Sequence, residues 1–304
     1  MARGGVVDGV LLLDKPLGIT SNRALQVVRR LLDARKAGHT GTLDPLASGL
    51  LPIACGEAAK FAAGLLDADK SYAATLQLGV ETSTGDAEGE VTATRPVAVD
   101  AARIDAVLAQ FTGRIEQVPP MHSALKRDGR ALYDYARAGI EVERAPRAVT
   151  IHRLARAGFD HDRLSIEVDC SKGTYVRTLA QDVGRALGCG AHLAWLRRTR
   201  IGGLGLAAAI TLEALEALAP AERHARLAPP DLLLAGLPRV DLDAPASHRL
   251  RKGQRLALGL AAAAAVRVYD HGGRLIGLAT IGDDGVVAPQ RLITENSDND
   301  EPLT

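Results

Sequence analysis

The stretch HTGTLDPLASGLLP, residues 39–52, fixes one ionisable acid, Asp44, between a Gly/Thr-rich approach and a proline. Two readings stand side by side. Asp-Pro beside glycine is ordinary loop punctuation, and the same frame suits a carboxylate held for chemistry. Two further stretches set polar groups against apolar neighbours. In LLDADKSYAATLQLG, Tyr72 starts a strand-like run; its ring offers a stacking face and its hydroxyl a route for protons. In DCSKGTYVRTLAQDVG, Tyr175 and Arg177 open a helical run straight after Lys-Gly. A guanidinium there can pair bidentately with a carboxylate and hold it ionised. Taken singly, Tyr72 also reads as strand packing and Arg177 as a surface helix charge.

Other chemistries find no support. No G-x-x-x-x-G-K-[ST] occurs, and GGLG at 202–205 lacks the third glycine of a dinucleotide fingerprint. His39 has no second histidine at helical spacing, so a metal site is not expected. The three cysteines, Cys55, Cys170 and Cys189, stand far apart. That spacing argues against zinc and against a disulfide framework, and it fits a reducing cytoplasm. The longest apolar run, LALGLAAAAAV at 256–266, is too short to span a bilayer. The first residues lack the long apolar region of a signal peptide.

These candidates need elements to carry them. GVLLLDKP reads as a buried strand ended by Pro16, after which Ser21 can cap a helix, NRALQVVRRLLDA, with Leu25, Val28 and Leu32 on one face. LLPIAC and SYAATLQLG read as strands, and EAAKFAAGLL and AARIDAVLAQF as helices. RLSIEVDC alternates cleanly, with Leu164, Ile166 and Val168 to one side. TYVRTLAQDVGRALG returns to helical spacing and stops at Gly188. This order has no regular βαβ repeat, so the fold class expected is α+β. A loop-rich stretch near 220–240 marks a boundary. Beyond it VRVYD, RLIGLATIG and GVVAPQRLI are short strands of a small β-rich module.

Among 304 residues, 47% are apolar and 24% charged, which suits a packed core, and the net charge is only +1. The distribution says more than the sum. The last eleven residues hold four acids and no base, leaving 37 bases against 32 acids in the body. Residues 122–156 carry eight Lys/Arg against four acids, and 244–256 carry four against none. Both are candidate phosphate-contacting surfaces, and both also read as solvated faces.

Together the stretches resemble the TruB family of pseudouridine synthases. The likeness runs through GVLLLDKPLGITSN, GHTGTLDPLASGLLP, GEAAKF, DAEGEV, PPMHSALK, LYDYARAGIEVER, SKGTYVRTLAQDVG and GAHLAWLRRTRIG, nearly the whole chain. It implies a mixed-sheet catalytic core with flanking helices over 1–236, an RNA-binding insertion at 119–156 and a PUA-like RNA-binding module at 237–294; the acidic tail at 295–304 is expected to be disordered from its own composition. The likeness also implies isomerisation of uridine 55 in the T loop of tRNA. Asp44 would be the catalytic aspartate, Tyr72 the ring stacked on the target base and Arg177 the partner of Asp44. Tyr175 and Leu196 would line the pocket, and His39 would sit in the RNA interface. Lys15, Lys60 and Asp86 would be further substrate contacts. The likeness departs at His122, Ser48 and Leu204, where tyrosine, threonine and phenylalanine are usual; these touch packing and RNA affinity.

The reaction breaks an N–C glycosidic bond, turns the uracil and joins C5 to the same sugar carbon. No atom enters or leaves, so no cofactor or metal is expected. The carboxylate could attack C1′ or C6 or take a sugar proton, and Tyr72 or Asp44 would remove the C5 proton. The target base must also leave its stack. The expected partner is the tRNA T-arm, met by a monomer without guide RNA or membrane. Two rivals are an RNA-guided relative of the H/ACA type and a non-catalytic tRNA-folding chaperone. The insertion speaks against the first; the complete Asp44/Tyr72/Arg177 set is not demanded by the second, whose folding role could coexist with catalysis. Arg249, Arg251, Lys252 and Arg255 are candidate contacts of the small module with the acceptor stem.

Overall fold

The alternation of RLSIEVDC is realised in the strand Arg163–Cys170, whose Leu164, Ile166 and Val168 are buried while Arg163 and Glu167 face solvent. Each such burial contributes about 1.5–3 kcal/mol. The computed structural model describes residues 7–294 except 122 and 124. His122 and the acidic tail therefore lie outside the described residues. The strand belongs to a ten-stranded sheet with both parallel and antiparallel pairs. The order along its main path is Ile210–Thr211, Gly9–Lys15, Ala47–Cys55, Ala191–Ile201, Lys70–Leu78, Arg163–Cys170, Arg147–Asp160 and Gly113–Gln117. The fold is α+β, as its element order suggested.

Three apolar clusters use the two faces of this sheet. One gathers Tyr72, Ala74, Leu76, Ile166 and Val168 under Leu179 and Val183 of the helix Val176–Leu187 and Ile104 and Val107 of the helix Ala101–Gln110. The second packs Leu11, Leu13, Leu51 and Ile53 against Ala24, Leu25 and Val28 of the helix Ser21–Leu31. The third joins Val10, Leu50, Phe61 and Ile201 to Leu233 and Leu234, with Leu275, Leu278 and Ile293 packed against them.

Two local readings are corrected. The Ser21–Leu31 helix is capped by Thr20, whose hydroxyl accepts from Arg23 N at 3.1 Å; Ser21 is the first helical residue and its hydroxyl is used elsewhere. EAAKFAAGLL is not one α-helix. It is a 3₁₀ segment, Gly56–Phe61, followed by a single α turn, Ala63–Leu66. Packing against the 3₁₀ turn Pro230–Leu234 decides this over the good α propensity of alanine. The Val176–Leu187 helix does stop at Gly188, held at φ 86° in the left-handed region.

C-terminal to residue 238, a separate five-stranded sheet pairs Arg239–Asp241, Ala263–Tyr269, Leu275–Ile281, Val286–Leu292 and Leu256–Ala257. It has its own small core around Leu250, Val268, Ile276 and Val287. Among the described residues no helix is long and apolar enough to cross a membrane. All three cysteines are free and buried.

Candidate active site

Asp44 stands in the loop between the strands Ala37–His39 and Ala47–Cys55. Its backbone surroundings are tied on both sides. Ser21 Oγ donates to Leu43 O at 2.9 Å and accepts from Leu43 N at 2.8 Å. Gly18 N donates to Pro45 O at 2.8 Å, and Ala47 N to Asp44 O at 3.0 Å. This fastening leaves the Asp44 side chain 53% exposed in an otherwise rigid loop.

Arg177, near the start of the helix Val176–Leu187, is only 8% exposed, and its Nη2 donates to Asp44 Oδ2. Its Nε lies 3.0 Å from Asp86 Oδ2. Asp86 is fixed in turn: its Oδ1 accepts from Thr84 Oγ1 at 2.5 Å and from Glu88 N at 3.1 Å. Two carboxylates against one guanidinium leave a negative charge on the group, presented at the exposed end by Asp44. Removing one partner of the buried Arg177–Asp86 pair strands the other, at a cost of about 3–5 kcal/mol. Asp44, Leu46, Ala47, Asp86, Arg177 and Leu196 line one pocket. Leu196 lies opposite Ala47 on one neighbouring strand and Ala74 on the other, where small side chains leave room.

Tyr72 is buried in the first apolar cluster beside Leu43 and Ala47. Burial raises its phenol pKa, against the opposing influence of Arg198, so the hydroxyl keeps its proton near neutral pH. Tyr175 caps the same helix as Arg177. Its backbone is gripped by the side-chain amide of Gln117, which accepts from Tyr175 N at 3.0 Å and donates to Tyr175 O at 3.3 Å. His39 ends the strand that leads into the loop, and burial together with Arg198 lowers its pKa, favouring the neutral ring.

The structure thus brings Asp44, Arg177, Asp86 and Leu196 together, with Asp86 engaged as the anchor of Arg177. Two expected contacts are corrected. Lys15 is fully buried, its ammonium donating to Pro16 O at 2.8 Å and Ile19 O at 2.7 Å, so it offers nothing to a phosphate. Lys60 is bound to Glu57 at 2.5 Å, and to Leu292 O and Thr294 Oγ1 at 2.9 Å each, which commits it to the junction with the C-terminal sheet. Sequence reading also missed Ser21, Gln117 and Arg198. Ser21, read as a helix cap, and Arg198 fall within stretches already singled out, whereas Gln117 falls within none of them. Ser48 accepts from Arg197 Nη1 at 3.3 Å, and Leu204 is buried in the third cluster. Among the described residues no group of three His, Cys, Asp or Glu could hold a metal ion.

A mixed sheet presenting an arginine-paired aspartate beside a buried tyrosine defines the class of protein to which known proteins can be compared. Residues 29–176 match the family described as "TruB family pseudouridylate synthase (N terminal domain)". Residues 177–235 match "tRNA pseudouridylate synthase B C-terminal domain", and 238–293 match "Pseudouridine synthase II TruB, C-terminal". The chain is 60% identical over 289 residues to tRNA pseudouridine synthase B of Aromatoleum aromaticum, covering 95% of this chain and 94% of that one. It is 58% identical over 300 residues to the protein of the same name from Burkholderia mallei, covering 96% and 99%. Among solved structures, a chain of a Cbf5-Nop10-Gar1 complex superposes with a TM-score of 0.71 at 27% identity, over 90% of this chain and 78% of that one. An H/ACA RNP bound to a substrate RNA containing 2′-deoxyuridine gives 0.73 at 23% identity, over 96% and 87%, a likeness of fold alone. The chain belongs to the TruB family of pseudouridine synthases.

Proposed function

We propose that this protein isomerises uridine 55 in the T loop of tRNA to pseudouridine, acting in the cytoplasm as a monomer without a guide RNA. The observation that carries the reading is the half-exposed Asp44 carboxylate, paired with a buried Arg177 that Asp86 anchors from behind. The names of relatives at 56–60% identity support tRNA as the substrate. The solved H/ACA-type structures stand much further away, at 23–27%. That contrast favours the guide-free reading.

In this reading the target uridine leaves its stack, at a cost of a few kcal/mol, and its base lies against Tyr72. Stacking on an aromatic ring offsets about 1–3 kcal/mol of that cost. Arg177 fixes the direction of the Asp44 carboxylate. The ionised oxygen attacks C1′ or C6, or takes a sugar proton; each route ends with the N1–C1′ bond broken and a C5–C1′ bond formed. The C5 proton must then leave. A phenol that keeps its proton is a poor acceptor, so the direction of the Tyr72 shift supports Asp44 as the base and Tyr72 as the platform. Leu196 and the two alanines beside it give the uracil an apolar wall.

The test is purified protein with an unmodified tRNA transcript and no other RNA, mapped by primer stops specific for pseudouridine. Pseudouridine at position 55 and nowhere else supports the reading. Activity that appears only when a guide RNA is supplied overturns it in favour of the guided rival. Faster tRNA folding with no pseudouridine overturns it in favour of the chaperone.

A further inference from the structure

Arg198 is the largest fully buried side chain of the described residues, and no carboxylate of those residues pairs with it. A guanidinium so placed must be satisfied by neutral acceptors. It is: Nε donates to Leu50 O at 2.8 Å, Nη2 to Gly41 O at 3.1 Å and Nη1 to Thr42 O at 3.4 Å. These carbonyls lie on both sides of Asp44 in the chain, two in the approach and one in the strand that follows. The charge of the same side chain bears on the Tyr72 hydroxyl, opposing the rise that burial gives its pKa. The strand register enforces this meeting, because Arg198 lies opposite Tyr72 on one neighbour and opposite Gly49 on the other. Gly49 has φ 103°, and a Cβ there would come within 2.3 Å of Arg198 O. Glycine is required for the Ala47–Cys55 strand to come this close.

We propose that Arg198 is a positioning residue for the reaction: one planar group fastens both ends of the Asp44 loop and the Tyr72 hydroxyl in a single frame. This rests on the function proposed above, which supplies the roles of Asp44 and Tyr72. The fork explains why arginine and not lysine stands here. An ammonium is a point charge without the fixed divergent donors that reach three carbonyls and a phenol at once. Arg177 sets the carboxylate from its far side, so the two arginines divide the work. Arg177 acts on the reacting group itself, Arg198 on the backbone and ring that frame it.

Two variants and two readouts test this. Arg198→Lys keeps the charge and most of the stem; Arg198→Met removes the charge. The expected result for Arg198→Lys is a folded protein whose kcat on tRNA falls about 100-fold, the scale of an ångström-sized misplacement, while KM changes little. The second readout needs no activity: the ring-carbon NMR signal of Tyr72, labelled at the carbon bearing the hydroxyl and assigned by its loss in Tyr72→Phe. The charged groups bearing on that hydroxyl are Arg198, Cys170 and Asp44. Removal of the cation in Arg198→Met should shift the signal and move its titration to higher pH, and Arg198→Lys should shift the signal by changing the contact. If Arg198→Met does not fold, the lysine variant carries both readouts. A Tyr72 signal unmoved in the folded variants overturns the proposed contact. A moved signal with wild-type kcat overturns the positioning role. If the wild-type protein itself makes no pseudouridine, the proposed function fails, and the signal still decides the contact.

Discussion

The pocket and the small C-terminal sheet both carry arginines and lysines, and they use them in opposite ways. Around the pocket, Lys15, Lys70, Arg177 and Arg198 are all buried. Lys70 donates to Leu66 O at 3.0 Å and Ala68 O at 2.6 Å, so it too spends its charge on nearby carbonyls. In the C-terminal sheet, Arg249, Lys252 and Arg255 are exposed on and beyond the helix Ala244–Arg251. Arg251 differs from these three, its Nη2 lying 3.0 Å from Asp270 Oδ2. A buried cation costs desolvation energy and returns geometry. An exposed one costs little and is available to an anionic partner. The same residue types therefore organise one region and advertise the other.

The sharpest test of the pocket half is to remove its negative charge. Asp44→Asn keeps size, so tRNA should still bind, and the rate should fall by about 10³-fold or more, the upper range for loss of a positioned acid or base. Substantial pseudouridine from that variant in the primer-stop assay would sink the assignment. A smaller effect is expected from the guanidinium. Arg177→Lys cannot reach Asp44 through Nη2 and Asp86 through Nε together, and it should lose about 100-fold in kcat. Asp86→Asn should lose about 10- to 100-fold, because Arg177 then has Asp44 as its one counter-charge in the pocket. A near-wild-type kcat for both would show that the pairing is structural only.

The order of these effects reflects what was legible in the sequence. Asp44, Tyr72 and Arg177 each sit in a local stretch whose composition marks it, and the alternation of RLSIEVDC or the glycine stop at Gly188 is equally local. Arg198 was hidden because LRRTR offers three arginines in a row of five residues. Only the pairing register and a bulge between Arg198 and Arg200 separate them. Arg197 turns to Asp14 at 2.5 Å, Arg200 Nε bonds Ser71 Oγ at 2.8 Å, and Arg198 goes inward. The expectation of Lys15 and Lys60 as substrate contacts rests on the family resemblance. Neither the two carbonyls that hold Lys15 nor the carboxylate, carbonyl and hydroxyl that hold Lys60 are visible before the chain has turned at Pro16 and met residues 292–294. Asp86 acquires its role from a helix some ninety residues further on.

Lys15 gives the pocket half a signature in stability. Burial lowers its pKa from 10.5 to about 8, against the raising influence of Asp44. A cation with a lower pKa folded than unfolded costs stability while both states are protonated, and that cost disappears as pH rises through about 8 to 10.5. Lys15 therefore contributes a stability that grows with pH in this window. Cys55 and Cys170, pushed up to about 11 by burial, run the other way, since the folded thiols keep protons that unfolded thiols release. A difference measurement separates the two. Urea unfolding of wild type and Lys15→Met across this range should show the difference moving in favour of wild type by on the order of 1–3 kcal/mol. A flat difference would mean that Lys15 is hydrated and belongs with the exposed cations.

The smallest effect belongs to the exposed cations, and it must be sought without cutting the module away. Leu275, Leu278 and Ile293 pack onto the third apolar cluster, and Arg291 Nη1 donates to Lys60 O at 3.1 Å. Deleting residues from 238 onward would uncover that surface and confound binding with folding. Replacing Arg249, Lys252 and Arg255 together by glutamine leaves the packing alone. If these side chains meet phosphates of the acceptor stem, affinity for whole tRNA should fall. The slope of log affinity against log salt should flatten by about 0.7–0.9 for each phosphate no longer neutralised. The rate at saturating tRNA should stay unchanged, because only binding common to ground and transition states is removed. A short T-arm stem-loop, which lacks the acceptor stem, should be bound equally by both proteins. An unchanged slope with whole tRNA would assign these charges to solvent. A lowered kcat on the stem-loop would erase the contrast between the two regions, since it would make the exposed cations part of the machinery that the buried ones hold in place.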